Sequence, residues 1–366
     1  GDVVTARIYD QPLGQEDVSK LWNIVEAQQA NAVEVLVSDV KYLSGMGVKV
    51  GAKFTLQGKG FKEGDQLQFT SSTDASRSYK QPGTVKADGN LEVTIPEGFQ
   101  SDNYRLTLFR EAAMQDLGLA KFEVVSEMPK PAEVIAHRGF WTGTAQNSRQ
   151  ALKNAQDNGF YGSGNDIWIT TDGRLVVNHD ATLNGVTLQN STYDQVKNLT
   201  LSNGEKISTL EDQLEMVKSS DSRTKLIIEI KSHSSLDRSL AAAEAAVKAV
   251  ETLGVKDKVE YIAFDRNVCK KIAQLDPKAT VAYLSGGEAP ATLKADGITG
   301  IDYSISEFRN HPEWVKAAKD LGMVVNVWTV NSISDMAEMT NLGVQFITTD
   351  KPLDAQTVAD YYKAQQ

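Results

Sequence analysis

Up to about residue 127 the apolar positions recur every second residue. Segments 53–57, 66–70, 91–95, 104–109 and 122–125 all alternate, as strands with one buried face do. Turn residues separate them: Gly58-Lys59-Gly60, Glu63-Gly64-Asp65 and Asp88-Gly89-Asn90. Short alternating strands at close intervals predict a small all-β sandwich of immunoglobulin-like type over residues 1–127. Residues 15–32 break the pattern, because Val18, Leu21, Trp22 and Val25 recur at helical spacing. This region carries no chemical constellation, so it reads as a spacer or as a module that contacts another protein or a glycan.

Met128-Pro129-Lys130-Pro131 is a stiff connector, since two prolines resist both helix and sheet ladders. Beyond it the grammar changes. Strand-like runs, among them 133–136, 175–177, 226–230, 261–264, 280–284, 324–327 and 346–347, alternate with helical patterns. The helical stretches are 148–157, 210–218, 239–253, 313–321 and 334–342. Apolar strands alternating with amphipathic helices mean βα units around a parallel sheet. Eight or nine strand candidates predict an α/β fold, a TIM (β/α)8 barrel over residues 132–366. A doubly wound open sheet is the alternative, and no Gly-rich phosphate loop supports it.

Composition narrows the partners. Over 366 residues, 41% hydrophobic and 23% charged side chains describe a folded chain. A net charge of -10 argues against nucleic acid or an anionic membrane surface. It leaves a small phosphate-bearing substrate open, because a local cationic pocket overrides the mean field. No apolar run is long enough for a transmembrane helix. Cys269 is the sole cysteine, so no intrachain disulfide can form, and it reads as a small buried apolar residue on a helix. The chain opens Gly1-Asp2, as after removal of a signal peptide, and a periplasmic or secreted location is expected over a cytoplasmic one.

The candidate chemistry lies at strand ends, where catalytic groups of parallel α/β proteins gather. His137-Arg138-Gly139 closes one strand and His179-Asp180 another, and the chain holds only four histidines. Two imidazoles there supply a proton donor and a proton acceptor near neutral pH. Arg138 offers a planar fork suited to phosphate oxygens. Lys231 follows Glu229 by two residues and so shares its sheet face.

These segments, taken with others in order, resemble the glycerophosphodiester phosphodiesterases. The matching residues are His137-Arg138-Gly139, Thr171-Asp172-Gly173, Val176-Val177-Asn178-His179-Asp180, Ser208-Thr209-Leu210-Glu211-Asp212 and Ile228-Glu229-Ile230-Lys231. Asn326-Val327-Trp328-Thr329-Val330-Asn331 and Ile347-Thr348-Thr349-Asp350-Lys351-Pro352 complete the series. The resemblance implies metal-dependent cleavage of a phosphodiester. A substrate hydroxyl beside the phosphate attacks phosphorus, one of His137 and His179 takes its proton, and the other protonates the departing alcohol. It further implies Asp166 and Glu229 as ligands of Ca²⁺ or Mg²⁺, Arg138 and Lys231 on the phosphate, and Trp328 as an aromatic wall. Asp350 is expected to cap the turn that follows it.

One departure stands out. Where the family carries Glu-x-Asp, this chain reads Gly164-Asn165-Asp166, and the usual Pro-Glu-Asn reads Ala145-Gln146-Asn147. A hard cation wants several oxygen ligands, so weaker metal binding is expected. Two readings stay open: a diesterase with a weakened or rearranged metal site, and a silent barrel that binds a phosphorylated or glycan ligand. A third, carbohydrate hydrolysis by Asp166 and Glu229, needs two carboxylates roughly 5–9.5 Å apart and leaves the histidines without a task. Among lesser positions, Phe264 is expected in the packing and Asp265 at the rim. His233 is expected in a solvated loop and His311 at the surface. The polar segment 184–206 is expected as a lip over the barrel mouth.

Overall fold

The computed structural model describes residues 15–16, 18–20, 34–43, 45–119 and 121–366. Within the expected helix at 15–32, residues 15–16 and 18–20 are helical, whereas Leu21, Trp22 and Val25 lie outside the described residues. The chain divides into two compact units, residues 1–127 and 128–366.

The first unit is β-rich. Ser38–Tyr42, Lys53–Lys59 and Leu91–Thr94 pair on one side of a shared strand, Ser78–Val85. Gln66–Ser71, Asp102–Arg110, Phe122–Val125 and Val48–Lys49 follow on the other, with Ala113–Asp116 against Asp102–Arg110. The shared strand changes partner at Pro82 and Gly83. Pro82 has no N–H to give a ladder, and a Cβ on residue 83 would lie 2.5 Å from Leu91. The alternating positions Leu56, Leu67, Phe69, Leu91, Leu106 and Phe122 form its core.

The second unit is a closed barrel of eight parallel strands. In chain order they are Glu133–Ala136, Gly162–Ile169, Lys225–Ile230, Val259–Ala263, Val281–Tyr283, Gly300–Ser304, Val324–Trp328 and Phe346–Thr349. Each pairs with its neighbour, and the first pairs with both the second and the eighth. Helices intervene as the periodicity predicts. Ser148 caps Arg149–Asp157, and Thr209 forms a capping box at Leu210–Lys218. Leu236–Leu253 buries Ala242, Ala243, Ala246 and Val250 and ends on left-handed Gly254.

Two barrel strands escape the pattern reading, Gly162–Ile169 and Gly300–Ser304, because glycine weakens strand propensity. Packing overrides propensity there. A Cβ on residue 162 would lie 2.8 Å from Ile227, and one on residue 300 would lie 2.4 Å from Val324. Conversely, Leu175–Val177 is not a barrel strand. It folds back antiparallel onto Ile167–Ile169, since the Thr170–Arg174 turn is too short for the crossover a parallel pair requires. Segment 184–206 is more than a solvated lip: Leu188 and Val196 pack with Trp168, Val176 and Ile207 in a small core of their own.

Candidate active site

His137 follows the last residue of the first strand, and the turn beyond it is sharply constrained. Arg138 and Gly139 adopt φ of 58° and 81°, and a Cβ on residue 139 would lie 2.6 Å from Cβ of Ala151. Only glycine fits that second position. Holding Arg138 in the left-handed region costs about 1–3 kcal/mol, which the surrounding packing offsets.

His137 Nδ1 lies 2.8 Å from Oδ1 of Asp350, just after the eighth strand. Trp141 Nε1 donates to the same oxygen at 3.3 Å, and Asn331 Nδ2 donates to Oδ2 at 3.1 Å. Partial burial opposes the Asp350 charge, but the His137 contact and these hydrogen bonds outweigh it and bring its pKa down to about 2. The expectation that Asp350 caps the next turn is therefore corrected. Thr349 Oγ1 takes the Lys351 N–H, and the Asp350 side chain serves His137.

His179 reaches the mouth by the fold-back of Leu175–Val177. The Asn178 N–H donates to the Asp166 carbonyl at 2.9 Å, which fixes the next residue beside the second strand. His179 Nδ1 lies 2.7 Å from Asp180 Oδ1, and its carbonyl accepts from Trp168 Nε1 at 3.3 Å. Each imidazole thus engages a carboxylate through Nδ1, which leaves Nε2 to face a substrate.

Asp166 and Glu229 are register partners on the second and third strands. Asn147 clamps the first: its Nδ2 donates to Asp166 Oδ2 at 2.9 Å, and its Oδ1 accepts the Asp166 N–H at 3.2 Å. Arg138 Nε stands 3.9 Å from that carboxylate. Lys231 Nζ lies 2.9 Å from Glu229 Oε2. Burial and then the Asp166 charge push the Glu229 carboxyl up to about 7, with Lys231 opposing.

At Gly164 a Cβ would stand 3.3 Å from the Arg138 amide nitrogen and 3.5 Å from the Ala136 carbonyl. In front of it lies a cavity of about 20 Å³ lined by His137, Arg138, Gly164, Asp166, Glu229 and Ile262, room for one water. Among the described residues no three His, Cys, Asp or Glu side chains gather as a metal cage. Asp166 and Glu229 nevertheless fit a divalent cation completed by water. Such an ion would neutralise a pair whose burial, and then mutual repulsion, already hold Glu229 toward its protonated form.

Deeper in the barrel, Asp302 is fully buried, with Oδ1 unpartnered and Oδ2 accepting from Asn326 Nδ2 at 3.2 Å. Burial, and then Glu229, raise its pKa well above the usual carboxylate range. Trp328 ends the seventh strand and donates Nε1 to the Asp302 carbonyl at 2.7 Å. Phe264, expected in the packing, is instead 39% exposed and meets the Trp328 ring edge-on at 5.8 Å. His233 is not a solvated loop residue either. Its Nδ1 donates to the Lys231 carbonyl and its Nε2 accepts from the Ile169 N–H, so the neutral ring is structural. Burial lowers its pKa accordingly. Asp265 caps helix Arg266–Leu275, which carries the buried Cys269. His311 is exposed and stacks on Trp314 at 3.8 Å.

The structure thus brings His137, Arg138, Asp166 and Glu229 around one cavity, with Lys231 on Glu229 and His179 tied to Asp166 through its neighbour. Sequence reasoning passes over Asn147, Asn178 and Asp302, and misassigns Asp350. Asn147 and Asn178 lie within segments compared with the family, and a lone acid inside the apolar run at Ile301-Asp302-Tyr303 is the local signal for Asp302.

Paired, carboxylate-backed imidazoles at the C-terminal mouth of a parallel barrel, beside two cationic side chains, define a class: TIM-barrel hydrolases of anionic esters. The glycerophosphoryl diester phosphodiesterase family model matches residues 137–354, and the chain belongs to that family. A glycerophosphodiester phosphodiesterase of Caldanaerobacter subterraneus is 30% identical over 237 residues, 60% of this chain and 94% of that protein. The crystal structure of such an enzyme from Parabacteroides distasonis superposes with a TM-score of 0.63 at 43% identity, covering 65% of this chain and all of the other. An Oleispira antarctica phosphodiesterase in complex with the product sn-glycerol-3-phosphate shares the fold at 22% identity. Its TM-score is 0.56, with 63% of this chain and 97% of that one covered. The family match favours phosphodiester over glycoside hydrolysis.

Proposed function

We propose that the chain hydrolyses a glycerophosphodiester to a phosphomonoester and an alcohol, with His137 and His179 as the acid–base pair. The observation that carries this reading is the carboxylate on Nδ1 of each imidazole. One neutral imidazole takes the proton of the glycerol hydroxyl beside the phosphate as that oxygen bonds to phosphorus. The other, as imidazolium, gives its proton to the departing alkoxide as the P–O bond breaks. Water then opens the cyclic phosphate with the two roles exchanged, which returns both rings to their starting protonation. Positioned acid–base groups of this kind contribute roughly 10²–10⁴-fold.

Arg138 and Lys231 neutralise the phosphoryl oxygens as charge builds on them. Asp166 and Glu229 would hold Ca²⁺ or Mg²⁺, which supplies further charge neutralisation there when bound. The product complex of the Oleispira enzyme supports glycerol phosphate as the retained half. Residues 1–127, with a core of their own, are on this reading a binding module of immunoglobulin-like type.

Gly164 favours a second reading, a barrel that binds a phosphorylated ligand without turnover. Enzyme incubated with a panel of glycerophosphodiesters and Ca²⁺ or Mg²⁺ separates the two. Alcohol release supports the diesterase, and calorimetric binding without release supports the silent barrel.

A further inference from the structure

Beside the histidines lies an open groove of about 330 Å³, lined by Trp141, Thr144, Gln146, Asn178, Leu183 and Leu201, with Ala145 and Ser202 completing it. It is contiguous with the catalytic groups. Trp141 Nε1 and His137 Nδ1 share the same Asp350 oxygen. Gln146 Oε1 accepts from Arg138 Nη1 at 2.8 Å. Asn178 immediately precedes His179.

We infer that the groove takes the alcohol half of the diester, and that this alcohol is an uncharged ring polyol, a cyclitol or hexose. The inference rests on the diesterase reading and names its substrate class. Among the described residues none lining the groove carries a charge. Choline or ethanolamine is recognised by an aromatic cage or a carboxylate, and here one indole stands among amides, hydroxyls and leucines.

The hydrogen-bonding capacity left over suits hydroxyls. Asn178 Nδ2 is spent on the Asp180 and Thr182 carbonyls, so its Oδ1 still accepts. Thr144 Oγ1 accepts from Asn203, so its O–H still donates. Gln146 keeps both amide hydrogens. Donors and acceptors are thus interleaved around apolar surface from Trp141, Leu183 and Leu201, which matches a ring with hydroxyls at its rim and C–H groups on its faces.

The walls are built. Leu183 belongs to the Thr182–Leu183 and Val186–Thr187 hairpin and packs on the small core of Trp168, Val176 and Leu188. Leu201 is itself buried and bonded to Glu205 through its amide.

The test compares glycerophosphoinositol with glycerophosphocholine, in kcat/KM, on the parent and on Ser202→Phe, which fills the groove from an exposed position. The parent should favour the inositol diester by about tenfold or more. Ser202→Phe should erase that preference, lowering kcat/KM for the inositol diester about tenfold or more beyond its effect on the choline diester. Equal cleavage of both diesters by the parent, or an equal loss on both in the variant, overturns the inference. Calorimetry with inositol 1-phosphate and phosphocholine keeps the two readings apart. Preferential inositol phosphate binding without turnover sinks the diesterase and keeps the groove, whereas turnover without discrimination sinks the groove alone. Neither binding nor turnover of the inositol compounds sinks both.

Discussion

The His137 ring rests on Asp350 across the seam where the first and last barrel strands meet, with Nδ1 and Oδ1 2.8 Å apart. The contact fixes which nitrogen of His137 faces the substrate, and it depends on barrel closure. Asp350→Asn should therefore lower kcat by about 10²-fold or more while leaving KM nearly unchanged. Steady-state kinetics on the purified variant checks this, and an effect confined to KM would assign Asp350 to substrate binding.

The same pair sets a pH dependence. The Asp350 pKa is brought down to about 2 from the ordinary carboxylate value of 3.8, so its ionised form stabilises the fold, fully so above pH 3.8. This contribution is lost as pH falls toward 2. The loss of stability between pH 4 and 2 should be shallower in Asp350→Asn than in the parent. Urea unfolding at several pH values measures the slope.

Glu229 behaves in the opposite sense. Its pKa is raised to about 7, so the proton it retains favours the fold at low pH, and this contribution fades as pH climbs from 4.5 to 7. A bound cation needs the carboxylate ionised. Mg²⁺ or Ca²⁺ binding should release close to one proton at pH 6 and almost none above pH 8, with affinity rising in between. Calorimetry in buffers of different ionisation enthalpy reads the proton count directly.

Gly164→Glu restores an acid beside the small cavity. The new Cβ meets the Arg138 amide nitrogen at 3.3 Å, a contact relieved by a shift of a few tenths of an ångström. Cation affinity should rise about tenfold or more, because a third oxygen ligand joins the pair. Unchanged affinity would mean the ion is held elsewhere.

Gly139→Ala probes the turn that carries His137 and Arg138. It adds a Cβ 2.6 Å from Ala151 at a φ of 81°, and should cost about 2 kcal/mol or more of stability. Thermal unfolding measures the loss, with a lower Tm expected.

Local signals were the legible ones. The helix at 210–218 follows from its period alone, and His137-Arg138-Gly139 announces itself as one short segment. Lys231 is placed with Glu229 by the two-residue period of a strand. What escaped depends on contacts distant in sequence. Asp350 is 213 residues from His137, and only closure of the barrel pairs them. The second strand was obscured because Gly162 and Gly164 mimic a loop until the packing of Ile227 is known. His179 looked like the end of a barrel strand, yet it arrives by a hairpin that no parallel repeat foretells. His233 reads as a loop residue until the Ile169 amide is seen to donate to it.

The most direct test of the two-imidazole account follows phosphorus by ³¹P NMR in a glycerophosphodiester incubated with parent, His137→Ala and His179→Ala in the presence of Mg²⁺ or Ca²⁺. The account predicts a phosphomonoester signal from the parent and a rate at least about 10²-fold lower from each variant. Monoester formation at the parental rate by either variant would contradict it.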